Sequence, residues 1–503
     1  MNYARRLRLA ATVTFLAAAT ISSAQTLRFG LAEDPDVLDP TLARTFVGRI
    51  VFAALCDKLV DIDDKLNIVP QLATSWTWSP DNKQLTMKLR PGVTFHDGEK
   101  FDAAAVKFNI ERHKTMPGSN RRGELAPLAS VDVVDPLTVR LNLSAPFAPL
   151  LAQLADRAGM MVSPKAAQAA GEKFGAKPVC SGPFKFVERV AQDRIVFERF
   201  AGYWNKDAVH FDKVVYQPIV DATVRLANLK SGQLDLIERV APSDMPGLKG
   251  DSKLKTAKIV EIGYQGITFN IGKSDLSKNN PAGRDARVRE AFELSLDRDA
   301  IVQVAQEGEA TPGNQWVAPN NPWYMKGVPI PKRDVEKAKA LLKAAGAPNA
   351  SFTLVTPTTS DAQRVAQVIQ AMAKEAGIDV KIQSTEFSTS LDMADKGQFE
   401  AYVLAWSGRA DPDGNLYSHL ACKQPLNYSG WCRADADELM KKSRETSDRA
   451  ERAKAFEQIA RMESQDKPIV YLFHRHWLWA YANKLDGFRP MPDGLVRLQG
   501  LKF

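Results

Sequence analysis

Long apolar stretches are missing from most of the chain. After residue 24 no run approaches the 18 residues of a membrane-crossing helix. No basic run exceeds three residues, and the aromatics are not interleaved with Lys and Arg. The 67 basic residues sit among 59 acidic ones, which argues against a nucleic-acid partner despite a pI near 9.1. There is no low-complexity segment, no internal repeat and no Ser/Thr/Gly-rich linker. The chemistry-bearing motifs are equally absent. No C-x2-C spacing exists for zinc. No G-x-S-x-G elbow exists, so Ser181 is not a credible nucleophile. No G-x-x-x-x-G-K-[ST] loop exists, so the chain does not hydrolyse ATP. His residues stand only at 96, 113, 210, 419, 474 and 476, and the His474/His476 pair has no third metal ligand near it in sequence.

What remains is ordinary globular material, 45% hydrophobic and 25% charged, long enough at 503 residues for roughly two to four domains. Residues 1–24 read as a cleaved signal peptide. Arg5, Arg6 and Arg8 form a positive start, Leu9 to Ala19 an apolar centre, and Ser22-Ser23-Ala24 a small-residue cleavage site before Gln25. Losing the three Arg lowers the net charge from +8 to +5. No Cys follows the apolar centre, so no lipid anchor is expected. Export places the four Cys in an oxidising compartment, where three pairings are possible. Cys422 and Cys432 bracket a short polar segment and are expected to bridge, worth about 2.5–3 kcal/mol in the chain-entropy model. Cys56 and Cys180 then either pair or remain buried free thiols.

Periodicity divides the mature chain. Thr26 to Leu31, Gln84 to Arg90, Val131 to Leu143 as a hairpin, and Gly182 to Phe200 as another make the first half strand-rich. The second half carries helices at Val288–Ser295 and Asp299–Glu307. A further one is capped by Asp334 and closed by Gly346. Ser351–Thr356, Asp361–Ala376 and Ile378–Ile382 read as strand, helix, strand, a βαβ unit with a parallel sheet. Asp435–Glu463 reads as one helix and Pro468–Phe473 as a strand. Two α/β lobes without a floppy linker share a cleft, and such clefts hold ligands.

Leu89-Arg90-Pro91-Gly92-Val93-Thr94-Phe95-His96-Asp97-Gly98 resembles the LRxGVxFHDG segment of family 5 periplasmic solute-binding proteins, the peptide- and nickel-binding components of ABC importers. Leu38-Asp39-Pro40, Ser181-Gly182-Pro183-Phe184, Gly202-Tyr203-Trp204-Asn205, Val288-Arg289-Glu290-Ala291, the helix within Pro331–Gly346, and Trp406 with Asp411-Pro412-Asp413 agree in order and spacing. The resemblance implies an α/β, two-lobed periplasmic binding protein-like fold (type II, cluster C) with a discontinuous lobe I and an extra subdomain. Lobe I would span 25–269, with the subdomain at about 70–190. Lobe II would span 270–474, and 475–503 would return to lobe I. The chain would cross near Phe269-Asn270 and His474–Trp477.

The resemblance further implies a non-enzymatic, monomeric, periplasmic receptor without cofactor. It would deliver a peptide-like or carboxylate-bearing solute to an ABC permease and, through it, to the ATPase. A secreted two-lobe α/β hydrolase is the alternative. Peptide-binding members place an Asp shortly after the Trp of the W…DPD segment, to pair the ligand's amino group; here Arg409 stands at about that position. The Arg that dipeptide binders carry before the helix near Asp361 is missing from Pro357-Thr358-Thr359-Ser360. An Arg repels an ammonium and attracts a carboxylate. The candidate ligand-binding residues are Arg409, Trp406, Asp411, Glu33, Arg122, Tyr264 and Trp316. For each the competing reading is structural: an ion pair, a charged turn or core packing.

Overall fold

A computed structural model describes residues 25–503; the signal peptide expected at 1–24 lies outside the described residues. The main sheet has twelve strands. Its path runs Asp379–Thr385, Ser351–Pro357, Ala401–Trp406, Tyr264–Phe269, Ile469–Ala482, Leu236–Glu238, Thr26–Leu31, Lys213–Pro218, Arg194–Arg199, Phe184–Val190. Leu254–Val260 and Ala310–Pro312 also pair with Ile469–Ala482.

The strand Ile469–Ala482 joins the two halves. Its first residues, Ile469 to Phe473, pair with Tyr264–Phe269, while His476 to Ala482 pair with Leu254–Val260. The apolar cores divide at the same place. Phe473 and Leu472 belong to a core built from residues 267–473. Trp477 and Trp479 belong to a core built from Leu27, Phe29, the helix Phe46–Leu55 and the C-terminal residues up to Leu501. Among the described residues no apolar cluster mixes the two sides. Separate cores joined by polar strand crossings are what lets two lobes move as bodies.

The pairing also corrects the first crossing. Tyr264–Phe269 lies in the second half of the sheet, so the chain changes side at 261–263 rather than at 269–270. The residues there are tied to the second crossing. Glu261 N–H donates to the Arg475 carbonyl at 2.8 Å, and Arg475 N–H donates to Glu261 Oε1 at 2.8 Å. His474 Nδ1 lies 2.6 Å from the Gly263 carbonyl.

A four-stranded antiparallel sheet, Ala73–Trp78, Gln84–Leu89, Thr138–Leu143 and Leu128–Asp135, carries its own core with the helix Ala103–Thr115. The segment Leu89–Gly98 joins it to the first lobe. Arg90 stacks 3.8 Å over Trp204, and His96 contacts both the Gly182 carbonyl (3.0 Å) and the Cys180 N–H (3.3 Å). Trp204 and Tyr203 in turn donate to buried Asp57 at 2.6 and 3.3 Å. The Gly-Tyr-Trp-Asn and His-Asp-Gly motifs are thus two sides of one structural joint. Cys56–Cys180 closes the same region, and Cys422–Cys432 is the second bridge, so the free-thiol reading is set aside.

The βαβ unit is present: Ser351–Pro357 and Asp379–Thr385 pair in parallel, joined by the helix Ser360–Glu375 with Thr359 as its cap. Asp334 caps Val335–Ala344, and Gly346 follows at φ +69°. The single helix expected over 435–463 is two, Ala434–Glu445 and Arg449–Asp466. Asp448 accepts from Ala450 and Glu451 N–H and restarts the helix after an extended Thr446. Pattern alone misses that break, because both helices bury apolar residues in one core and only three residues separate them.

Candidate functional site

Arg409 leaves the sheet where the lobes join. The strand Ala401–Trp406 ends two residues before Gly408, which has φ +80°. A Cβ on Gly408 would lie 2.4 Å from the Ile262 carbonyl, and one on Gly263 would lie 1.8 Å from the Trp406 carbonyl. Only glycine lets these two backbones meet. Asn415 fixes the turn from the other side: its Oδ1 accepts from Arg409 N–H at 2.7 Å, and its Nδ2 donates to the Ile262 and Trp316 carbonyls at 2.9 and 3.0 Å.

The Arg409 side chain is 7% exposed and faces the other lobe. Its guanidinium lies 4.7 Å from the Trp406 ring centre, and its Nε ion-pairs with Asp156 Oδ2 at 2.9 Å. Asp156 caps the short turn Arg157–Gly159 in the first half of the chain. It also takes Arg49 Nε at 3.1 Å and Arg49 Nη2 at 2.9 Å. Arg49 projects from the otherwise apolar helix Phe46–Leu55. Arg157 and Arg121 close the group from behind; both donate to the Ala43 carbonyl, at 2.9 and 3.3 Å, and Arg121 also pairs with Glu124. Four guanidiniums therefore surround one carboxylate. Burial opposes ionisation of Asp156, but Arg409, Arg49, Arg157 and Arg121 together hold it well below the usual carboxylate range. Burial and the neighbouring cations push the Arg157 and Arg49 guanidiniums down from their ordinary value. His419, 4.5 Å from the Trp406 ring, is pushed down to about 3 by burial and by Arg409, so it is neutral.

The lobes touch elsewhere as well. Ala148 N–H donates to the Arg444 carbonyl at 2.7 Å, and the Arg444 guanidinium lies 3.6 Å from the Tyr417 ring and 4.6 Å from that of Phe147. Arg44 and Asp395 approach to 3.8 Å.

The other candidates fall outside this cluster. Asp411 has both oxygens held by Arg452, at 2.6 and 2.7 Å, within its own lobe, which gives it a structural role there. Arg122 donates to the Met116 and Thr115 carbonyls at the end of the helix Ala103–Thr115; its neighbour Arg121 is the buried one. Trp316 is fully buried and Tyr264 is 2% exposed; both pack in a core of the second lobe. Glu33 sits just after the first strand and pairs with Arg239 at 2.6 Å, which lowers its pKa against the opposing effect of burial. Sequence reasoning missed Arg49, Asp156 and Arg157. Arg49 had a signal: a lone Arg inside Phe-Val-Gly-Arg-Ile-Val-Phe-Ala-Ala-Leu must find a buried counter-ion. Among the described residues no three His, Cys, Asp or Glu side chains gather as a metal site, and no helix is long and apolar enough to cross a membrane.

Residues 67–427 match the model of bacterial extracellular solute-binding proteins, family 5 middle, and the chain belongs to that family. Its relatives are periplasmic solute-binding components of ABC transporters. It is 29% identical to the glutathione-binding protein GsiB of Pectobacterium atrosepticum, over 99% of this chain and 98% of the relative. It superimposes on the Agrobacterium binding protein AgaA, solved with agropinic acid, with TM-score 0.83 and 29% identity over 95% of this chain and 98% of that one. Helicobacter pylori DppA, solved with the peptide STSA, gives TM-score 0.85 and 27% identity over 95% and 97%. These neighbours are two-lobed binding proteins, which is the architecture expected from the sequence. The receptor function expected from it stands as well.

Proposed function

We propose that this protein captures a carboxylate-bearing solute at Arg409, between the lobes, and hands it to an ABC permease as a monomeric, non-catalytic periplasmic receptor freed from its signal peptide by cleavage. One observation carries this reading: Arg409 of one lobe is buried against Asp156 and Arg49 of the other. A guanidinium at that place needs an anion whenever the lobes close, because a desolvated, unpaired charge costs several kcal/mol. Within the protein itself Asp156 fills the role. A ligand acid group entering between Arg49 and Arg409 would contact both lobes at once and so favour closure. Trp406 would flank its apolar part.

The named ligands of the relatives fit this chemistry, since glutathione and agropinic acid both carry carboxylates. A peptide amino group anchored at this position fits poorly, since Arg409 stands where an acid would be needed. A thermal-shift screen with organic acids, opines, glutathione and peptides tests the proposal, because a bound solute raises apparent stability by mass action. Stabilisation by carboxylates supports it; stabilisation confined to cationic or uncharged solutes overturns it. Turnover of any ester, amide or glycoside in a substrate panel would sink the receptor reading in favour of a hydrolase.

A further inference from the structure

Charge around the candidate site does not balance. Arg49, Arg121, Arg157 and Arg409 are each at most 7% exposed. Two carboxylates face them, Asp156 and Glu124. An arginine side chain keeps its proton in a protein, so the cluster carries an excess of two positive charges. No nearby acid removes that excess. Asp493 is the next carboxylate acting on Arg49, yet both its oxygens are taken by Arg497, at 2.7 and 2.8 Å. Glu33 is held by Arg239 at 2.6 Å. The donors are unsatisfied too. Arg49 Nη1, Arg121 Nε and Arg157 Nε are buried without a hydrogen-bond partner. Native interiors rarely leave such N–H groups unpaired, and charged ones least of all.

From this excess we infer that the ligand presents two acid groups to the cluster, and that Asp156 is the residue that sets this number. The inference rests on the receptor reading above and names the substrate class of the same site. Two acid groups neutralise the excess and supply acceptors for the three orphaned N–H groups. A ligand ammonium would sit among four guanidiniums and be repelled, so the amino end of a free peptide has no place here. Asp156 acts as an internal stand-in: it holds Arg49 and Arg409 when no ligand is present, and the ligand must displace it from Arg409 on binding. It is therefore a competitor for the incoming anion as well as a strut.

Titration calorimetry at fixed ionic strength tests this on the mature protein, with succinate, glutarate and adipate as probes, each beside its own monoamide, and with the dipeptide Ala-Ala. The best diacid should bind at least tenfold more tightly than its monoamide. Asp156→Asn, which removes the competing charge but keeps the shape, should bind that diacid at least threefold more tightly than wild type. A purely structural role for Asp156 would give the opposite sign. A diacid-to-monoamide ratio below tenfold, or no binding of any diacid, overturns the two-acid inference. Unchanged or weaker binding by a folded Asp156→Asn overturns the role given to Asp156. If that variant does not fold, the wild-type ratio decides alone. Ala-Ala binding more tightly than every diacid would sink this inference while leaving the receptor reading in place. The receptor reading itself fails on different results: no solute of the wider screen binding between the lobes, or turnover in the substrate panel.

Discussion

Arg409→Ala separates ligand binding from folding. The truncation removes the 2.9 Å pair with Asp156, the hydrogen bond to the Gly408 carbonyl at 2.8 Å and the contact over Trp406. Asp156 is not stranded, because Arg49 still holds both its oxygens and Arg157 N–H still donates to it at 2.7 Å. The usual penalty of about 3–5 kcal/mol for breaking a buried pair applies when the remaining charge is left alone. Here it is not, so unliganded stability should fall by only about 1–2 kcal/mol. Ligand affinity has no such backup on the second lobe. Truncating one member of a desolvated charge pair costs about 2–5 kcal/mol in binding. The exchange with Asp156 during binding places the expected loss near the lower end, about 2 kcal/mol or roughly thirtyfold. Arg409→Lys should recover part of this, since the charge returns without the planar fork. The assay is calorimetry with the solute that most stabilises the wild type, beside a denaturant titration without ligand. Wild-type affinity in a folded Arg409→Ala would refute the reasoning.

Asp411→Ala should do the reverse. It leaves Arg452 buried between Trp323 and Phe456 without its partner, at about 3–5 kcal/mol of stability, with ligand affinity unchanged in whatever fraction folds. Replacing Cys56 and Cys180 by Ala opens a loop of 124 residues and should cost about 4–5 kcal/mol, against about 2.5–3 for Cys422 and Cys432 with a separation of 10, read from denaturant midpoints. Acid should destabilise the fold early. Burial pushes His96 and His474 down to about 4 and His113 and His419 down to about 3, so the unfolded chain takes up protons first. Their contribution is full above about pH 6.5 and is lost as pH falls through that value towards the folded pKa. At pH 5 each should cost about 2 kcal/mol, and His419→Phe should show a shallower decline of melting temperature between pH 6.5 and 4 than wild type.

The parts of the fold governed by local pattern were legible in the sequence. Asp334 and Gly346 announce their helix because a cap and a left-handed residue act within one turn. The βαβ unit shows because its apolar period switches from two to 3.6 and back. The crossing at 261–263 was not legible: Tyr264–Phe269 reads as a strand wherever it pairs, and only tertiary pairing assigns it to a side. The site divided in the same way. Arg409 could be singled out because its place after Trp406 is fixed by local spacing. Asp156 lies 253 residues away and meets it only through the closure of two lobes. Arg122 stands among the candidates and Arg121 does not, because adjacent arginines in a polar turn look alike until burial separates them.

The central claim is that an acid group of the ligand lies between Arg49 and Arg409. A crystal structure of the protein with its bound solute tests it most directly. The account predicts a ligand carboxylate within about 3 Å of Arg409 Nε and of an Arg49 nitrogen, with Asp156 drawn away from Arg409. A ligand whose nearest polar group to Arg409 is an ammonium, or one held between the lobes with the Arg409–Asp156 pair intact, would contradict it.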